Sequence, residues 1–420
     1  MGLTITEKIL AKASGRARVA PGEVIRARPC FSTSNDYYTY PHWAQRLERI
    51  GVKRLYAPER VAIVADHFCP AVNVAWAERH QRLRQWAERF EVGFFYYGEG
   101  ISHQIMAEKG HALPGEFLAS DDSDCTGLGG VGCLCIGIGS SILEAYAVGD
   151  VWIRVPTTVR IELEGSLRKG VTARDVSQRI IGDLGKDGAL LSVVEFVGPA
   201  VARFSIDERM TLCSRIISTG ASTAIVPPDE GAMAYAGARA KVPFDPVMGD
   251  SDATYLRILR YDLSEMEPLL ATSPDPVSSA SVCGMSGVRI DQAYIGSCAG
   301  GRLDELRGVA EILRNRKVHP RVRFIIVPPS REVLAGLCEE GLLKPLVDGG
   351  AIIGTPGCGA CFGGHSGVLT DGEVCIATVT NNLRGRMGSA GAEIHLASAL
   401  TVAASAIEGR ITDPRNYVEG

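Results

Sequence analysis

The run Val61-Ala62-Ile63-Val64-Ala65-Asp66-His67 decides the fold. Five small or branched apolar residues in a row read as a strand buried on both faces. A sheet covered on both faces is characteristically parallel and flanked by helices. The pattern continues outward. Residues 93–97, 116–119, 159–164, 322–327 and 374–378 read as further short buried strands. Residues 73–90, 175–184, 304–316 and 332–347 read as helices. This alternation predicts an α/β chain with covered sheets. Proline and serine clusters at Val155-Pro156-Thr157-Thr158 and Ser273-Pro274-Asp275-Pro276 divide it into three domains, 1–157, 158–272 and 273–420.

Composition narrows the function. Across 420 residues, 44 Lys and Arg face 48 Asp and Glu, a net charge of −4. No basic face is available to displace counterions, which argues against a nucleic-acid partner. Twelve cysteines are too sparse for a disulfide scaffold in a chain this long. They point to a reduced, cytoplasmic compartment, where each thiol is core filler, metal ligand or nucleophile. No basic segment followed by an apolar run marks a signal peptide. Residues 129–149 are apolar enough to suggest a membrane span, but their glycines and Glu144 read better as a buried helix against a sheet. Met1-Gly2 with Thr6 fits an acylation pattern; Thr4 and Glu7 read better as a capping box opening a helix.

The candidate chemistry falls in four places. Cys358-Gly359-Ala360-Cys361 lies in a glycine-rich loop, and Gly296-Ser297-Cys298 ends a strand about 60 residues earlier. Thiolates bind soft metals, and a CxxC turn aims two sulfurs at one point. Three readings stay open: three ligands of a [4Fe-4S] cluster with one iron left open, a single zinc with His365 as fourth ligand, or ordinary thiols in a tight turn. Asp66-His67 stands where a strand ends, and His103 holds an equivalent place after the next strand. A carboxylate beside an imidazole orients it and raises its basicity. Satisfied histidines at element boundaries are the plain alternative. Asp121-Asp122-Ser123-Asp124 also follows a strand, and could bind a divalent cation, supply a base or cap a helix. Gly127-x-Gly129-x-x-Gly132 with Asp150 matches a dinucleotide fingerprint, but the acidic loop before it would repel a pyrophosphate.

In order along the chain stand Asp66-His67-x-x-Pro70, Gly100-Ile101-x-His103-Gln104, Asp122-Ser123, Glu195-Phe196-x-Gly198 and Met210-Thr211-x-Cys213. Gly296-Ser297-Cys298, Pro356-Gly357-Cys358-x-x-Cys361 and Gly385-Arg386-Met387-Gly388 follow. Together they resemble, almost end to end, the large subunit of 3-isopropylmalate dehydratase and the first three domains of aconitase. The resemblance implies three α/β/α domains without the mobile fourth. It implies a [4Fe-4S] cluster on Cys298, Cys358 and Cys361, a small hydroxy-carboxylate substrate, and a separate small subunit carrying the swivelling domain and the catalytic base. Asp66 with His67, and His103 with Asp122, match two carboxylate–histidine pairs of the family, and Arg386 matches a carboxylate-gripping arginine.

The chain also departs from the family pattern. Asp-Ser-His-Thr is here Asp122-Ser123-Asp124-Cys125, and the partner of the lost histidine is Ser218. Cluster-facing asparagines are here Ser214, Gly300 and Thr380, and Asn381 stands where an active-site arginine would be. Fewer fixed cations should mean fewer or different substrate carboxylates. The expectation is therefore an iron–sulfur hydro-lyase large subunit with an altered substrate. Asp66, His67, His103, Asp122, Ser123 and Asp124 would carry the chemistry, and Arg386, Ser218 and Asn381 would face the substrate. A non-catalytic scaffold, or a hydro-lyase using mononuclear zinc or iron, are the rivals.

Overall fold

A computed structural model describes residues 2–418. The chain divides into two compact units. One holds residues up to Tyr97, Ser102–Glu164 and Ala189–Tyr261; the other holds Gly98–Ile101, Gly165–Gly188 and residues from Asp262 on.

The first unit contains a five-stranded parallel sheet, in spatial order Phe94–Tyr97, Val61–Ala65, Phe31–Asn35, Phe117–Ser120, Leu134–Gly137. All five residues of Val61–Ala65 are buried, as a strand covered on both faces must be. The central strand, Phe31–Asn35, is equally buried although it reads Phe-Ser-Thr-Ser-Asn. Sequence periodicity gives no sign of it. Its polar side chains are accommodated by partners such as the Tyr146 hydroxyl, 2.5 Å from Ser34 Oγ. A second sheet in this unit orders Thr223–Ile225, Ser192–Val197, Thr157–Glu164 and Arg257–Asp262, the first three parallel.

The second unit is built on a seven-stranded sheet: Ala280–Ser281, Leu269–Ala271, Glu393–Ala397, Val374–Ala377, Gln292–Ile295, Arg323–Ile326, Ile352–Ile353. The last five strands run parallel and the first two pair antiparallel. Helix Leu303–Leu313 presents Leu306, Val309, Ala310 and Leu313 to the core at helical spacing.

Two expectations need correction. Residues 332–347 form two helices, Arg331–Glu339 and Leu343–Gly349, because Gly341 turns left-handed at φ 67° between them. Residues 129–149 are not one buried helix. A 3₁₀ segment ends at Gly132 in the left-handed region, strand Leu134–Gly137 follows, and only Ile142–Val148 is α-helical. The glycines of the dinucleotide-like spacing serve packing: a Cβ at Gly129 would lie 1.9 Å from the Ala224 carbonyl oxygen, and one at Gly130 2.5 Å from the Met210 nitrogen. The opening capping box forms as read, with Thr4 and Glu7 exchanging side-chain and backbone hydrogen bonds. Among the described residues, no helix is long and apolar enough to cross a membrane. All twelve cysteines are free thiols.

Candidate active site

In parallel α/β sheets the strand carboxyl ends collect functional side chains, because the loops there all open on one side. The five-stranded sheet follows this rule four times over. Asp36 follows Phe31–Asn35, Asp66 and His67 follow Val61–Ala65, His103 lies on helix Ser102–Glu108 after Phe94–Tyr97, and Asp121 and Asp122 follow Phe117–Ser120.

Asp66 uses both oxygens. Oδ1 lies 2.8 Å from His67 Nδ1, and Oδ2 accepts from the Ser102 backbone N–H at 2.8 Å. The carboxylate thus orients the imidazole and ties down the helix that carries His103. Asp36, which sequence reasoning did not find, completes the arrangement. Its oxygens accept from the backbone N–H groups of His67 at 3.1 Å and Phe68 at 3.2 Å, and lie 3.0 Å from His80 Nε2. The hydrogen bonds to His80 and the His67 backbone, with the charge of His67, outweigh burial and hold its carboxyl below the usual range. Burial works against charge on His67, but Asp66, Asp36 and Asp122 outweigh it and lift its pKa to about 10. These carboxylates favour the imidazolium at neutral pH, with Nδ1–H directed at Asp66 Oδ1.

The second pair is looser. His103 Nε2 stands 3.8 Å from Asp122 Oδ2. Burial again opposes charge, and Asp122, with help from the charge of Asp124, raises the His103 pKa to about 9. Asn35 Nδ2 donates to Asp122 Oδ2 at 3.2 Å, and the Asp124 N–H donates to Asp122 Oδ1 at 2.9 Å. Despite burial, His103 keeps Asp122 well below the carboxylate range. Its neighbour goes the other way. Asp121 is buried against Trp43, whose Nε1 donates at 3.0 Å, and burial together with Asp122 pushes it up to about 8. Adjacent aspartates thus sit in opposite protonation states at pH 7. Asp124 is half-buried and Ser123 exposed. Ser218 is half-buried on a 3₁₀ turn, and Ser214 Oγ donates back to the Thr211 carbonyl at 2.9 Å. Cys125, Cys133 and Cys135 belong to the apolar core.

One consequence can be measured. His67 has a folded pKa above its unfolded value of about 6.5, so its contribution to stability is complete below that pH and is lost as pH rises through about 10. The thermal midpoint of the wild-type protein should fall more steeply between about pH 7 and about pH 10 than that of His67→Asn.

In the second unit the thiols ride on loops beyond parallel strands. Gln292–Ile295 leads to Ser297, a non-glycine held at φ 76°, and then to Cys298. Ile352–Ile353 leads to Cys358 and Cys361. The Tyr294 hydroxyl donates to the Cys358 carbonyl at 3.1 Å, and a Cβ on Gly359 would lie 2.3 Å from that hydroxyl. Buried arginines lace these loops together. Arg174 donates to the carbonyls of Ala299 at 2.7 Å, Thr378 at 3.0 Å and Val379 at 2.8 Å, and Arg302 donates to the Cys298 carbonyl at 2.7 Å. Burial lowers the Arg174 pKa to about 10, against the opposing charges of Glu305, Asp175, Cys298 and Cys361. Arg386 Nη2 reaches Thr380 Oγ1 at 3.1 Å and the Cys361 sulfur at 3.7 Å. Asn381 Oδ1 accepts from the Leu383 N–H at 3.4 Å, while buried Asn382 locks the loop by donating to Thr272 and Ile394 carbonyls. Sulfur binds iron as the thiolate, and the Arg386 guanidinium beside Cys361 suits an anionic group there. Glycine at 359 and 363, both left-handed, keeps the loop free of side chains beside the sulfurs. The donor set and its surroundings fit an anionic iron–sulfur group. A single tetrahedral ion would hold its ligand atoms within about 4 Å of one another. Cys358, Cys361 and His365 do not gather within 4.8 Å among the described residues, and His365 Nδ1 already accepts from the Ser366 N–H.

The sequence pattern of the aconitase (aconitate hydratase) family matches residues 58–286 and 283–409. The chain belongs to the aconitase family. That membership makes it a hydro-lyase. Named relatives align over their whole length. The 3-isopropylmalate dehydratase large subunit 1 of Methanopyrus kandleri is 42% identical over 420 residues, covering 100% of both chains. The large subunit 1 of Pyrococcus furiosus is 40% identical over 423 residues, again covering 100% of both. A probable large subunit from Methanothermobacter thermautotrophicus is 40% identical over 416 residues, covering 99% of each.

Proposed function

We infer that the chain is the large subunit of an iron–sulfur hydro-lyase, cytoplasmic and paired with a small subunit, that removes water from a small hydroxy-carboxylate other than isopropylmalate. The observation that carries this reading is the pair of buried histidines, His67 with Nδ1 2.8 Å from Asp66 and His103 with Nε2 3.8 Å from Asp122. A scaffold has no use for two such groups, and burying them without function is costly. Cys298, Cys358 and Cys361 would hold the [4Fe-4S] cluster. When bound, a cluster with one iron free of protein ligands supplies a Lewis acid for a substrate hydroxyl.

The protein groups then divide the work. Asp66 fixes His67 so that Nε2–H points outward as the general acid; its proton goes to the departing hydroxyl, which leaves as water. His103, held charged by Asp122, orients the departing water. Arg386 offers a planar fork to one substrate carboxylate. Asp124, Ser123 and Ser218, and Asn381 of the second unit, would set the choice of substrate. Asp124 accepts hydrogen bonds where the family pattern has a donor, so the group it meets should be a substrate donor rather than a second carboxylate. The carbon-bound proton passes to a base on the small subunit.

The test is anaerobic purification with the small subunit, followed by iron, sulfide and zinc analysis and a panel of hydroxy acids. About four irons and four sulfides per chain are expected. Zinc alone, or no metal after reconstitution, would refute the cluster. Turnover of isopropylmalate at least as fast as any other acid would refute the altered substrate. Asp124→Asn should change the ranking of the panel; an unchanged ranking removes Asp124 from the pocket.

A further inference from the structure

Helix Val74–Arg89 buries one face, made by Trp76, His80, Leu83, Trp86 and Ala87. Four of these are apolar or aromatic, as helical spacing against a core demands. His80 is the exception, and it is only 4% exposed. Its ring stands edge-on to Tyr97, with centroids 5.4 Å apart, and 5.9 Å from the Trp76 ring. A phenylalanine would fill that space without burying ring nitrogens. His80 Nδ1 is buried with no hydrogen-bond partner among the described residues. Burying a polar atom unanswered costs free energy, so packing alone does not account for a histidine here. Its polar task falls to Nε2, 3.0 Å from Asp36 Oδ2.

Asp36 in turn holds the turn that carries His67. Its Oδ2 also accepts from the Phe68 N–H at 3.2 Å, and its Oδ1 from the His67 and Asp66 N–H groups at 3.1 and 3.4 Å. Oδ1 stands 3.6 Å from His67 Nδ1 as well. Asp66 orients the His67 ring through Nδ1, but where that ring stands depends on the backbone beneath it. That backbone hangs on Asp36. The carboxylate is placed by the end of strand Phe31–Asn35 and by its contact with His80. A line of contacts thus runs from the buried face of a helix, through one aspartate, to the imidazole of the site.

We propose that His80 is a positioning residue for the dehydration: by holding Asp36 it sets the turn from Asp66 to Phe68, and with it the direction in which His67 presents its ring. The proposal rests on the reading of His67 as the general acid. His80 acts through Asp36 and not on the substrate, so its effect falls on the rate of the chemical step.

Two substitutions in the full chain, assayed with its small subunit, test it. His80→Phe keeps a ring and removes the donor. His80→Gln loses the ring, but its amide nitrogen can take the place of Nε2. His80→Phe should lower kcat at least about tenfold and leave KM within about twofold, because a misplaced acid weakens the transition state and not substrate binding. His80→Gln should return kcat to within about threefold of wild type. Packing alone predicts the opposite order. Amide hydrogen exchange at His67 and Phe68 gives a readout that needs no turnover: at least about tenfold faster in His80→Phe, and near wild type in His80→Gln. If the wild type dehydrates no acid, the hydro-lyase reading fails, and exchange alone decides whether His80 holds the turn. If His80→Phe does not fold, His80→Asn, too short to reach Asp36, takes its place beside His80→Gln. The proposal is overturned by kcat of the donor-less variant within about threefold of wild type, by His80→Gln doing no better than that variant, or by unchanged exchange at His67 and Phe68.

Discussion

Replacing His67 with asparagine should lower turnover by about 10²–10⁴-fold, the usual worth of a positioned general acid. Iron content should stay near that of the wild type, because the three proposed cysteine ligands are unchanged. The same variant should be less stable at neutral pH. Asp66 and Asp36 are fully buried and lose the positive charge that answers them. Breaking a buried pair by removing one partner costs about 3–5 kcal/mol. Asp66→Asn in the same chain should return part of that stability but none of the activity, since the two losses share one origin. Denaturant midpoints and steady-state rates on the single and double variants check both parts. Turnover within about threefold of wild type would remove His67 from the chemistry.

The second large effect concerns the sulfurs. Cys361→Ser should lower iron and labile sulfide at least about tenfold and abolish turnover, because a serine hydroxyl does not replace sulfur as a ligand to iron. Cys375→Ser is the control. That thiol is also buried in the second unit, within strand Val374–Ala377, but its sulfur lies 3.6 Å from the Ile376 carbonyl oxygen and burial pushes its pKa up, away from the thiolate. Iron should survive its loss. If both variants lose iron alike, or if Cys361→Ser keeps its colour, the cluster does not sit on these cysteines.

Much of the framework was legible in the sequence, and the gaps have physical causes. Val61–Ala65 matches its predicted bounds, and Phe94–Tyr97 and Phe117–Ser120 are displaced by one residue at most. Val61–Ala65 and Phe117–Ser120 are buried throughout and carry apolar runs, and the edge strand Phe94–Tyr97 is legible from its four aromatic residues. Phe31–Asn35 escaped because it buries polar side chains, of which Ser34 and Asn35 bond to Tyr146 and Asp122, so no apolar run marks it. Asp36 was lost with it. An acidic residue after an unseen strand looks like a surface turn, whereas here it gathers three backbone N–H groups and an imidazole. Asp66, His67, His103 and Asp122 could be named because a histidine or carboxylate after a recognisable strand is a local signal. The role of Arg174 was not readable, since it reaches carbonyls of loops distant in sequence. Gly300 shows why one departure from the family pattern persists. A Cβ there would lie 2.6 Å from the Thr378 Cβ, so the asparagine cannot be restored without moving that threonine.

The convergence of four loops on the carboxyl ends of one parallel sheet bears on how such a protein changes over generations. The strands carry the architecture, and Asp66, His67 and His103 are buried with them, whereas Ser123 is exposed and Asp124 half-buried. Substitutions at those two positions therefore disturb the packing beneath far less than substitutions in the buried cluster. Grafting the stretch 121–126 from a relative onto this framework is accordingly a sounder route to a new specificity than redesigning the interior.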